Sequence, residues 1–184
     1  MLDNILANHC APALAGIKPS NLVSCFKKDN PNILEDIEAL NSKLNKKDIY
    51  IDIVCECPQR VLLIVYRSKK LIEHLSSTQI KNFLEGFGYD KNLSLQEYIE
   101  RLSQRIKCNE EFPHEIGAFL GYPLKDIYGF IESKGRDCLY TGEWKVYSDV
   151  EMAKRTFCRY KNCKRAVLKR VNSGQSIEEI FYAA

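Results

Sequence analysis

Two apolar patterns stand side by side near the middle of the chain, and together they limit what the rest can fold into. Ile49, Ile51 and Ile53 alternate with Tyr50, Asp52 and Val54, the two-residue period of a half-buried strand. Val61 to Tyr66 is continuously apolar and rich in β-branched residues, which fits a strand covered on both faces. Between them, Cys57-Pro58-Gln59-Arg60 predicts a hairpin turn. A strand covered on both faces needs partners above and below it, and the flanking sequence offers mainly helices.

The helical signals are spread along the whole chain. Pro12 and Pro19 each suit the first position of a short helix, where the missing N–H has no partner to lose. A helix over Ile33 to Leu44 follows Pro31. Ser68 caps a helix carrying Leu71, Ile72 and Leu75, and Ile80, Phe83 and Leu84 extend its apolar face to a stop at Gly86 or Gly88. Ser94 with Glu97 forms a capping box ahead of Leu95, Tyr98, Ile99, Leu102 and Ile106. Pro113 and Pro123 open two more helices, the second ending near Gly135. Glu143 to Ser148 reads as a third strand, with Trp144 and Val146 on one face. Asp149 caps a long helix whose inner stripe is Val150, Ala153, Phe157, Tyr160, Val167 and Val171. Ser176 and Glu179 start a short terminal helix. The expectation is an α+β fold: one mainly helical domain over residues 1–184, packed on an antiparallel sheet of about three strands.

Composition narrows the class. The 184 residues are 45% hydrophobic and 28% charged, an ordinary globular balance. No apolar run approaches the roughly 20 residues of a membrane helix, and Met1 to Ala7 lacks the basic start and long apolar stretch of a secretory signal. The eight cysteines are then expected as reduced thiols of a cytoplasmic protein. Cys25, Cys55, Cys108 and Cys138 read as small hydrophobes. Neither Cys55-x-Cys57 nor the Cys158 to Cys163 spacing matches a structural zinc pair, so no metal site is assigned.

Three segments together resemble a bacterial family known as domain of unknown function 3793. They are His9-Cys10-Ala11-Pro12-Ala13-Leu14-Ala15-Gly16-Ile17-Lys18, Phe112-Pro113-His114-Glu115-Ile116-Gly117-Ala118-Phe119-Leu120-Gly121-Tyr122-Pro123, and Gly142-Glu143-Trp144-Lys145-Val146-Tyr147. The resemblance runs on to the helix around Arg159-Tyr160-Lys161. It implies a small cytosolic protein and carries no activity, cofactor or catalytic residue with it. A cysteine just ahead of a helix with a histidine far downstream also resembles the chain order of papain-like hydrolases and acyltransferases. No upstream glutamine for an oxyanion hole accompanies it.

Three functional readings follow. In the first, Cys10 is a nucleophile at a helix N-terminus, His114 its base, and Glu115 or Asp149 the group that orients the ring, for thiol-dependent hydrolysis or acyl transfer. His9, Tyr122, Trp144 and Tyr147 would line the same pocket around a small-molecule ligand. In the second, His9, Cys10, His114 and Glu115 hold a transition metal or haem. In the third, the protein is not an enzyme. The stretch from Val150 to Val171 holds eight basic residues against Glu151 alone, a local +7 in a chain of net +3, so the remainder carries −4. Arg159 and Lys161 are its candidate anion-binding residues, for an acidic partner. Nucleic acid is disfavoured, because no recognised motif accompanies the charge and the aromatic residues fit the inner stripe. Gly117 and Gly121 follow no predicted strand and read as packing glycines rather than a phosphate loop.

Overall fold

The computed structural model describes residues 2–108 and 113–182. Phe112, which opens the second motif segment, lies outside the described residues, as does the side chain of Cys108. The chain runs α1 (Leu2–His9), α2 (Ala11–Leu14), β1 (Ser20–Phe26), α3 (Ile33–Leu44), β2 (Ile49–Glu56), β3 (Arg60–Arg67), α4 (Ser68–Leu75), α5 (Thr78–Glu85) and α6 (Leu95–Cys108). It continues with α7 (Ile116–Phe119), α8 (Leu124–Glu132), β4 (Tyr140–Thr141), β5 (Lys145–Val146), α9 (Val150–Asn172) and α10 (Ile177–Tyr182).

β1, β3 and β2 form one antiparallel sheet in that order, so the continuous apolar strand is the central one. Its alternate residues serve two cores. Val61, Leu63 and Val65 join Val23, Cys25, Ile49 and Ile51 against residues of α1, α2, α3, α9 and α10. Ile64 and Tyr66 join Val54 against residues of α4, α5, α6, α7 and α8. The result is three layers, helices on both faces of a small sheet. Each fully buried aliphatic side chain contributes roughly 1.5–3 kcal/mol, so β3 is stabilised twice along its length. The hairpin closes as expected, with Cys57 N donating to Arg60 O at 2.9 Å. The alternation holds through Val54, which faces the second core with Tyr50; a bulge between Ile53 and Cys55 then shifts the register, and Ile53 beside it is left exposed.

Three expectations are corrected. Pro19 does not open a helix; residues 20–26 form the third strand of the main sheet. Pairing along all of β3, from Ser20 opposite Tyr66 to Phe26 opposite Arg60, outweighs the local proline signal. Conversely, the strand read over Glu143 to Ser148 shrinks to Lys145–Val146, paired only with Tyr140–Thr141 in a separate two-stranded ribbon. The helix read from Ser68 onward also breaks, because Ser77 is extended with ψ 132° and starts α5. The start of α4 is capped from a distance: the Asp48 carboxylate accepts from Lys69 N.

Other local signals act as read. Ser94 and Glu97 exchange both capping-box bonds, as do Ser176 and Glu179. Asp149 accepts from Met152 N at 2.9 Å at the head of α9. Gly121, at φ 73°, lies where an added Cβ would sit 2.7 Å from Pro19, and a Cβ on Gly117 would sit 3.0 Å from Ile127. Both are close-approach glycines. Buried polar groups then lock the first segment onto the sheet. Arg67 Nε donates to Leu14 O at 2.8 Å, and Asn21 Oδ1 accepts from Ala13 N at 3.1 Å.

Replacing Asn21 with Ala leaves the Ala13 N–H buried and unpaired, which costs about 1–3 kcal/mol. Urea unfolding should show a lower midpoint with an unchanged slope; an unchanged midpoint would remove Asn21 from the account.

Candidate functional site

The expected thiol site does not assemble. Cys10 stands between α1 and α2 and is 0% exposed, packed in the first core with Leu6, Ala7 and Leu14. Burial pushes its thiol far above the ordinary cysteine range, Cys25 adds to the rise, and Lys18 opposes it only weakly. The helix it heads is one turn long, too short to offset that desolvation. His9 points outward and is exposed. His114 is exposed elsewhere, its ring edge-on to Phe130 at 5.3 Å. Glu115 is 0% exposed and paired with Arg105. Cys10, His114 and Glu115 therefore sit in three different environments. Among the described residues, no three His, Cys, Asp or Glu side chains converge as a metal site would require.

Part of the expected pocket does form. His114, Tyr122 and Trp144 meet in a cavity of about 220 Å³, completed by Ile116, Gly117, Ile127, Phe130, Lys145, Pro113 and Asp126. α7 and the turn after it supply one wall, α8 the second, and the β4–β5 ribbon the third. Trp144 packs against Tyr122 at 5.0 Å and edge-on to Phe157 at 4.5 Å. Tyr147 stands behind this wall, against Gly129, where an added Cβ would lie 2.5 Å away.

Asp126 holds these walls together, and nothing in the sequence pattern marked it out. It is 2% exposed. Its Oδ2 accepts from Trp144 Nε1 at 2.7 Å. Its Oδ1 accepts from Tyr147 N, Ser148 N and Ser148 Oγ at 2.8–2.9 Å. An acidic residue in the first turn of a helix reads as a surface charge that favours the helix dipole. Here it carries the ribbon instead.

Lys18 is the second residue missed. It is 3% exposed, with its ammonium 5.3 Å from the centre of the Tyr122 ring and 5.6 Å from that of Tyr160. Among the described residues its ammonium makes no hydrogen bond or ion pair. Burial lowers its basicity to about 8, with Glu143 and then Cys10 pulling the other way.

On α9, the inner stripe is as read: Ala153, Tyr160 and Val167 are buried, while Val150, Phe157 and Val171 are half-buried. Arg155, Arg159, Lys161, Arg165 and Lys169 are exposed. Lys154 pairs with Glu151, and Arg170 bonds Gln175.

A three-layer α/β/α domain with an aromatic pocket beside its ribbon is the class that fold and site define. Residues 6–181 match the family described as protein of unknown function (DUF3793), and the chain belongs to that family. No curated protein and no solved structure matches it. Among the described residues, no helix is long and apolar enough to cross a membrane.

Lys18 makes the stability of the fold depend on pH. Its native value of about 8 lies below the ordinary 10.5, so the charged form is penalised in the folded state. Between those values the unfolded chain holds the proton and the native one has lost it, so stability rises with pH across that window. Below it the penalty is fully present, about 3 kcal/mol at 1.36 kcal/mol per pH unit. Lys18→Met should therefore be the more stable protein at pH 7, with the advantage fading by pH 10. Urea titrations of both proteins at the two pH values check this; a variant less stable than wild type at pH 7 would contradict it.

Proposed function

We propose that this protein is a binding protein for a compact, planar molecule with an anionic group, held in the cavity beside Trp144. The observation that carries this reading is the charge left over around the pocket. The Asp126 carboxylate is consumed by four internal hydrogen bonds. Of the lining residues, that leaves His114 and Lys145 as the basic groups at the rim. Lys145 Nζ donates to Gly135 O at 2.7 Å and keeps further N–H donors for a ligand. Phe130, Tyr122 and Trp144 offer ring faces and edges that suit a flat molecule. At about 220 Å³ the cavity lies below the roughly 300 Å³ at which drug-sized pockets begin, so one ring with a short substituent is the right scale. Two of the three segments carrying the family resemblance, around His114 to Pro123 and Gly142 to Tyr147, supply most of the walls. Thiol hydrolysis is not part of this reading, because the Cys10 sulfur is sealed. A bacterial cytoplasmic setting is, as the family resemblance implies.

A second reading has its own observation: five exposed cations along α9, none in an ion pair among the described residues. Three of them, Lys161, Arg165 and Lys169, line a groove together with Lys164, Leu168, Asn172 and Ser173. An acidic partner would meet this face, independently of the pocket.

Trp144 is the chain's one tryptophan, so its fluorescence reports the pocket directly. Benzoate should give a saturable change, benzamide a weaker one, and His114→Ala should narrow the difference between them. Equal responses to the two, or none to either, would defeat the anionic-ligand reading. For α9, retention on a heparin column should fall with salt and drop in the Arg159→Gln, Lys161→Gln double variant. Retention unchanged by that variant would exclude these residues as the anion contact.

A further inference from the structure

Lys18 does not line the pocket beside Trp144, yet the three segments that carry the family resemblance, and the helix to which it runs on, all reach it. Lys18 ends the first segment. Tyr122 comes from the second, Glu143 from the third, and Tyr160 from the helix to which the resemblance extends. The turn between α2 and β1 brings Lys18 under the two tyrosine rings, and the β4–β5 turn brings Glu143 close enough to act on Lys18, Tyr122 and Tyr160 together. The charged and titratable groups that act on the amine are thus Glu143 from the ribbon and Cys10 from the head of α2; Arg159 of α9 acts on the neighbouring Tyr160.

A buried ammonium without a hydrogen-bonding or ionic partner is costly to keep. A lysine that only needed to fill space could be replaced by Met or Leu without that cost. We propose that Lys18 is a nucleophilic amine, the reactive group of a second site walled by Tyr122 and Tyr160, and that it condenses with the carbonyl carbon of a small aldehyde.

The step balances without any further reagent. The ammonium first gives one proton to water, and the amine lone pair then attacks the carbonyl carbon. The C=O π pair moves to oxygen, which takes up a proton as the nitrogen loses one, giving a carbinolamine. The nitrogen lone pair then expels that oxygen, protonated once more, as water. Loss of the last N–H proton leaves an imine. The net change is one amine and one aldehyde to one imine and one water. Desolvation favours it by leaving a large share of the amine neutral near pH 8, where exposed lysines are almost wholly protonated. Water exclusion around the two rings also slows hydrolysis of the imine.

The test is site-resolved reductive alkylation of the native full-length protein with limiting acetaldehyde and cyanoborohydride at pH 7.5, read by peptide mass spectrometry. Lys18 should be ethylated on the order of a hundred-fold faster than an exposed lysine of ordinary basicity, given its larger neutral fraction. The advantage should vanish in urea, where all lysines become alike. Glu143→Gln should raise Lys18 labelling several-fold, because the carboxylate that favours the ammonium is gone. Lys18→Arg keeps the positive charge and should lose only the fast-labelling site, with the exposed lysines unchanged. Native labelling of Lys18 at or below the exposed lysines, or labelling that appears only after unfolding, would overturn the proposal.

Discussion

Everything in this fold depends on the central strand β3 being buried on both faces. Its odd residues, Val61, Leu63 and Val65, and its even ones, Ile64 and Tyr66, sit in separate cores. Neither set can reach solvent without exposing the other's support. That constraint places α1, α2, α3, α9 and α10 on one side of the sheet and α4 to α8 on the other. Arg67, at the end of the same strand, donates to Leu14 O and Lys47 O and so ties two chain reversals to the sheet. With both faces covered, a site has to form beyond the sheet, where α7, α8, the ribbon and the head of α9 meet.

The two sides differ in chemistry as well as position. The face holding Cys10 and Cys25 is dry and closely packed, and its thiols behave as small hydrophobes. Around Tyr122 and Trp144 the packing is aromatic, with buried charge at Asp126 and Lys18. Those two residues illustrate opposite solutions to burying an ion. Asp126 is satisfied on both oxygens and stiffens the wall that holds Trp144. Lys18 has π faces against its ammonium and the Glu143 charge acting on it without an ion pair, which return only part of the lost hydration. A fully satisfied charge acts as a structural tie, whereas an unsatisfied one destabilises the fold and stays available for chemistry.

How much of this was legible depends on whether the signal was local. The hairpin, the Ile33–Leu44 helix, the two capping boxes and the Asp149 cap were readable because each is decided within a few residues. β1 was not, since Pro19 imitates a helix start and only the pairing with β3 makes residues 20–26 a strand. In the site, Tyr122, Trp144 and His114 do meet, though without Cys10. Whether Cys10 meets His114 is a matter of distance in space, and spacing along the chain contains no such information. Asp126 and Lys18 escaped notice because a charged residue is buried only by its tertiary surroundings, while sequence pattern assigns it to the surface. The one local hint at Lys18 was its position between Ile17 and Pro19, at the end of a motif segment.

The central claim is that the cysteine side of the sheet is packing and that the aromatic side carries the site. Site-resolved alkylation of the native protein by iodoacetamide tests it most directly, with exposed Cys158 as the internal reference. Cys10 should stay unmodified from pH 6 to 9 while Cys158 reacts, and both should react after unfolding. Alkylation of native Cys10 ahead of Cys158 at pH 6.5 would mean an accessible thiolate, and would contradict the account.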